Sequence, residues 1–71
     1  MKEEIVTTIK TEMVQARNRL CYIRNMIVSK EAQKLKSEDP VTFCELLTFY
    51  EEVKRYYDEV KKIATRLGMS D

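Results

Sequence analysis

The sequence predicts an all-α fold: an antiparallel helical hairpin of two long helices, pairing with a second copy as a four-helix bundle. Three observations predict it. The chain has 71 residues with one Gly and one Pro, so long stretches run without a helix breaker. Phe43, Leu46, Tyr50, Val53, Tyr57, Val60, Ala64 and Leu67 alternate spacings of three and four without a miss. That is the a/d repeat of a helix packed along its whole length against other helices. Ile9, Met13, Ala16, Leu20, Ile23 and Ile27 repeat the pattern in the N-terminal half, and Val6 extends it.

Residues 1–71 read as one domain. The first helix is expected over about 2–36, where no Gly or Pro occurs. Glu3 and Glu4 lie at the positive end of its dipole, and Lys34 and Lys36 at the negative end. Ser37-Glu38-Asp39-Pro40 is the strong break, because Pro40 disfavours helical geometry at Asp39. The turn is therefore placed at 37–41. Two start signals for the second helix compete. Asp39 can cap it with Pro40 in the first turn. Alternatively Thr42 caps, Glu45 completes a capping box, and Val41 staples to Leu46. The second helix is expected over about 42–67, with Gly68 following the last turn. Met69, Ser70 and Asp71 are expected to fray.

Folding about that turn pairs residues whose numbers sum to roughly 77, so Ile27 meets Tyr50 and Leu20 meets Tyr57. Residues 1–8 then overhang, leaving Ile5 and Val6 bare unless a partner covers them. Charge favours the same pairing. Residues 1–36 carry eight bases and four acids, net +4; residues 37–71 carry five and eight, net −3.

Phe49, Tyr56 and Ile63 form a second apolar row at the g position. An isolated hairpin leaves that row exposed, a patch that monomers avoid. A symmetric pair of hairpins buries it. Ile5, Val6, Phe49, Tyr56 and Ile63 are thus the expected dimer interface. A foreign protein supplying the missing helices is the competing solution.

Function is less legible. The chain has no His, so no nucleophile–base–orienter set can be assembled, and general-base work falls to a carboxylate or lysine in a pocket that filled bundles rarely offer. No enzyme, cofactor, metal or small-molecule substrate is expected. Cys21 and Cys44 alone make no four-ligand zinc site. They lie about 18 Å apart in the expected hairpin, too far for a disulfide, and read as reduced, semi-buried thiols. The acidic set Glu45, Glu51, Glu52, Asp58 and Glu59 points away from the apolar face and reads as a solvated surface. Tyr50, Tyr56 and Tyr57 read as bundle core. No apolar run approaches the roughly 20 residues of a membrane span, and Met1 to Ile5 lack a signal-peptide core. The expectation is a cytoplasmic protein without membrane contact.

The outer face of the first helix is the candidate site. Gln15, Asn18, Tyr22 and Asn25 share it, and Val14, Cys21 and Val28, whose seven-residue spacing continues to Leu35, form an apolar row. Such a stripe suits a partner helix. These seven residues are the expected partner-binding surface of a small adaptor or regulator. The alternative is RNA or DNA binding, with Arg17, Arg19 and Arg24 on phosphates and Tyr22 stacking on a base. Residues 13–30 hold four bases and no acid. In architecture alone this is similar to the Rop-type RNA-binding hairpin dimer, which also uses a polar helix face bearing an aromatic. The resemblance implies RNA as the ligand.

Overall fold

In a computed structural model, which describes residues 2–69, the chain is all helical. α1 spans Lys2–Ile27, α2 Lys30–Glu38 and α3 Pro40–Arg66. The molecule is a rod of 50 × 16 × 16 Å. At 1.5 Å per residue α1 and α3 are each about 40 Å long, so they lie side by side along the rod. The twelve residues that join them include a helix of only about 14 Å. A parallel arrangement would need a connection running back about 40 Å. The two long helices are therefore antiparallel.

The a/d positions form the seam between them. Phe43, Val53, Val60 and Ala64 of α3 are buried, and Leu46, Tyr50, Tyr57 and Leu67 are half-buried. On α1, Ala16 and Ile23 are buried, while Val6, Ile9, Met13, Leu20 and Ile27 are half-buried. The 3.5-residue repeat thus identifies the inward face of both helices.

The first helix is not continuous. Where the sequence reading has one helix over 2–36, the structure has two, and the reversal occupies 28–39 rather than 37–41. The cause is a slip in the apolar phase. After Ile27 the next inward residues are Ala32, which is buried, and Leu35, which is half-buried. The first step is five residues where the repeat requires three or four. In an unbroken helix Ala32 would stand about 140° around the axis from Ile27 and face solvent. Breaking the helix at Val28–Ser29 turns both residues inward.

Polar contacts define the break. Ser29 is the N-cap of α2, with extended backbone, and its hydroxyl accepts from the Ala32 N–H at 3.2 Å. That hydroxyl also donates to the Met26 carbonyl at 2.6 Å. The Gln33 side-chain amide donates to the freed Ile27 carbonyl at 3.1 Å. Several of the orphan groups of two helix ends are thereby satisfied within a few residues.

Asp39 rather than Thr42 caps α3. Its carboxylate accepts from the Thr42 N–H at 3.2 Å and from the Thr42 hydroxyl at 2.6 Å, with Pro40 in the first turn. Val41 is 68% exposed, so the staple to Leu46 does not form. At the far end Gly68 takes φ +76°, its N–H donates to the Thr65 carbonyl, and the Met69 N–H donates to the Ala64 carbonyl. This is a Schellman motif, so Met69 is tied to the helix end and half-buried. Ser70 and Asp71 lie outside the described residues.

The broken helix also changes the register. The Tyr56 hydroxyl donates to a Glu12 carboxylate oxygen at 2.7 Å, a pair summing to 68. At a sum of 77 Tyr56 would stand abreast of Cys21, with Glu12 about 13.5 Å further along. Both side chains lean toward their own N-termini, which in that register point them apart. The observed bond therefore requires a register shorter by about one heptad. A shift of seven residues returns the same heptad positions to the seam, so the apolar rows still meet. Val6, expected to be bare, is consequently half-buried.

Two outcomes test these caps. Ser29→Ala should cost roughly 1 kcal/mol, read as a lower urea midpoint at unchanged m-value; an unchanged midpoint would show that the cap does not hold the break. The two Thr42 bonds hold the Asp39 carboxyl below its ordinary pKa. A depressed folded pKa means stability that is present above the ordinary aspartate value and lost as pH falls through the folded value. Asp39→Asn should keep the helix and flatten that acid-side loss in a stability-versus-pH series.

Candidate functional site

The seam divides the surface into two flanks. In antiparallel pairs g positions face g positions and e positions face e positions. The Glu12–Tyr56 bond joins two g positions and so marks the first flank. On α1 this flank carries Ile5, Glu12, Arg19 and Met26; on α3 it carries Thr42, Phe49, Tyr56 and Ile63. Ile5 is 52% exposed, Phe49 48%, Tyr56 44% and Ile63 45%. Four large apolar side chains therefore lie on one side of the rod with about half their surface open. Of the expected interface residues, Val6 alone turns toward the seam.

Glu12 and Arg19 bring polarity to the middle of this flank. Glu12 accepts the Tyr56 hydroxyl proton, which stabilises the neutral phenol and raises its pKa. Arg19 acts on the same phenol in the opposite sense, so its charge lies on this flank too. The sequence reading did not single out Glu12, and it grouped Arg19 with Arg17 and Arg24 as a phosphate contact rather than with this flank. The signal that would have found them is their i, i+7 spacing with Ile5, read together with antiparallel g–g pairing.

The second flank carries Lys10, Arg17 and Arg24 of α1 and Leu47 and Lys54 of α3, all exposed. Outward from it runs the row Val14, Cys21 and Val28. Val14 is 50% and Val28 68% exposed, and Cys21 is an exposed free thiol. Val28 lies beyond the end of α1, but its N–H still bonds the Arg24 carbonyl at 3.2 Å and keeps it near helical phase. Gln15, Asn18, Tyr22 and Asn25 complete the outer face; all are exposed, Tyr22 at 71%. The expected partner-binding set thus occupies one continuous outward arc. Cys44 is also exposed and free, so neither thiol is semi-buried.

The nucleic-acid set does not share one surface. Arg17 and Arg19 are two residues apart, about 200° around the helix. Arg17 and Arg24 sit on the second flank, while Arg19 sits on the first beside Tyr56. Tyr22 is about 60° from Arg19 and far from the other two.

A shallow groove on the N-terminal half of α3 runs between Val41, Cys44 and Phe49, with Glu45 and Glu52 along it. It is built from one helix and encloses nothing. Among the described residues no group of three or more His, Cys, Asp or Glu could hold a metal ion, and no helix is long and apolar enough to cross a membrane. One ion pair, Lys34 with Glu38 at 3.9 Å, lies within α2 and is exposed, so it does not link α1 to α3.

Comparison with protein-family models, with curated proteins and with solved structures finds no match to this chain.

Tyr56 should ionise above the ordinary tyrosine value in a spectrophotometric titration, and Glu12→Gln should remove that delay. The raised folded pKa means that its stabilisation is present below the ordinary tyrosine pKa and lost as pH rises through the folded value. An unchanged titration in the variant would place Glu12 away from Tyr56 in solution and undo the register derived above.

Proposed function

We propose that this chain is a non-enzymatic protein–protein interaction module, a small adaptor or regulator, that works as a homodimeric four-helix bundle. One observation carries the reading: Ile5, Phe49, Tyr56 and Ile63, about half exposed, fall on a single flank contributed by both long helices. Burying an apolar side chain of this size contributes roughly 1.5–3 kcal/mol when complete. A second copy stacked on that flank supplies the burial, and the pairing closes by a two-fold axis without leaving a new open surface. The four helices then form a bundle core on both sides of the flank.

The outer surface of α1 stays open in such a dimer. Val14, Gln15, Asn18, Cys21, Tyr22, Asn25 and Val28 would receive the partner there. Exposed free thiols at Cys21 and Cys44 suit a reducing compartment, and we place the protein in the cytoplasm. The alternative, an RNA- or DNA-binding regulator of Rop-like architecture, asks Arg17, Arg19, Tyr22 and Arg24 to act together. The turn of α1 sets them on two sides, which favours the protein-binding reading.

The test is the solution mass. Light scattering on a sizing column should return twice 8.5 kDa. Phe49→Glu with Ile63→Glu should halve that mass while circular dichroism keeps most of its helix signal, because both side chains lie outside the hairpin's own seam. A native mass of one chain, or a mass indifferent to both substitutions, rejects the bundle.

A further inference from the structure

The second flank and the outer row beside it form a built surface, and its spacing speaks to what would bind there. Lys10, Arg17 and Arg24 repeat every seven residues, about 10.5 Å along α1. Val14, Cys21 and Val28 repeat with the same period, about 60° further round. One straight row of cations thus runs beside one straight row of exposed apolar groups. Between residues 13 and 30 there is no acid to interrupt them. From α3 the fold adds Lys54 and Leu47, the latter 39% exposed, to the same flank.

We propose that these paired rows bind an acidic amphipathic helix laid along α1. The inference rests on the reading of the chain as a protein-interaction module and names the chemistry of its partner. A partner must meet both rows over about 21 Å at one period. A helix with an apolar residue every seventh position and a carboxylate row next to it does so over three heptads. Its apolar row covers Val14, Cys21 and Val28. Its carboxylates sit against Lys10, Arg17 and Arg24, where opposite charge selects the partner and its direction. A nucleic acid would use only the cations. It would leave Val14 and Val28 against phosphate, and no aromatic side chain stands in the cationic row for a base to stack on.

The 71-residue chain is titrated, by fluorescence anisotropy, into three labelled probes. The first is a synthetic three-heptad helical peptide with one leucine row and an adjacent glutamate row. The second replaces its glutamates by lysine. The third is a DNA duplex of about 20 base pairs. The glutamate peptide should bind at least roughly tenfold more tightly than the lysine peptide. Arg17→Glu with Arg24→Glu should reverse that order, and Val14→Ser with Val28→Ser should weaken the glutamate peptide by a similar factor. All four positions are exposed, and circular dichroism of each variant checks that the helices remain. A preference for lysine, or none, that still depends on Val14 and Val28 overturns the acidic partner and leaves the protein-binding reading standing. Binding to the duplex that falls steeply with salt, is lost in the arginine variant and ignores the valine variant overturns both. Binding to no probe also overturns the acidic partner, and the sizing-column mass of the same sample decides separately whether the dimer stands.

Discussion

A five-residue step between Ile27 and Ala32 governs this molecule. The apolar repeat of α1 runs in phase for six residues from Ile9 to Ile27 and then slips. A rigid helix cannot bury both sides of such a slip against one partner. The chain resolves the conflict by stopping α1 at Ile27 and starting α2 at Lys30. Ser29 makes the interruption tolerable, because one hydroxyl accepts from the new helix and donates to the old one. Everything beyond the break follows from it. α2 becomes a separate short rod against the start of α3, and α1 slides about one heptad along its partner. The Glu12–Tyr56 bond then becomes possible.

The seam itself is thin. Of the seven buried side chains among the described residues, three are alanines, Ala16, Ala32 and Ala64, so the helices touch through small side chains at several levels. Two helices in contact along one line bury little surface for a chain of this length. Much of the large apolar volume, in Phe49, Tyr56, Ile63 and Ile5, is instead carried on one flank. The fold thus carries large apolar groups beside its core as well as in it, and the second layer proposed above would cover them.

The near-neutral charge of the chain conceals a division of labour. Formal net charge is +1, which suggests no strong electrostatic partner. The heptad geometry separates what the total averages. Large apolar groups collect on the g flank, with Glu12 and Arg19 among them. Cations collect on the e flank beside an apolar row. The two surfaces face opposite ways, so self-association through one leaves the other free, and this supports the bundle and the acidic-helix partner as compatible uses of one rod.

The sequence by itself determined the class of fold, the inward face of each long helix and the end of α3. These depend on periodicity and local capping chemistry, and both are written in nearest-neighbour spacing: the a/d row from Phe43 to Leu67 and the Gly68 terminus are examples. It also marked Phe49, Tyr56 and Ile63 as a second row, and Val14, Cys21 and Val28 as a third. The break at Ser29 was legible only in part. The slip from Ile27 to Ala32 is visible, but the absence of Gly and Pro from 2–36 argues the other way, and local propensity does not say which inward contacts will be kept. Tertiary structure alone decided the register and the flanks. A heptad repeat looks the same after a shift of seven, so the pattern cannot choose between sums of 70 and 77; a contact between distant residues, Glu12 with Tyr56, chooses. That contact also assigned Arg19 to one side of the rod and left Arg17 and Arg24 on the other, because the role of a surface side chain depends on which neighbouring helix it stands beside.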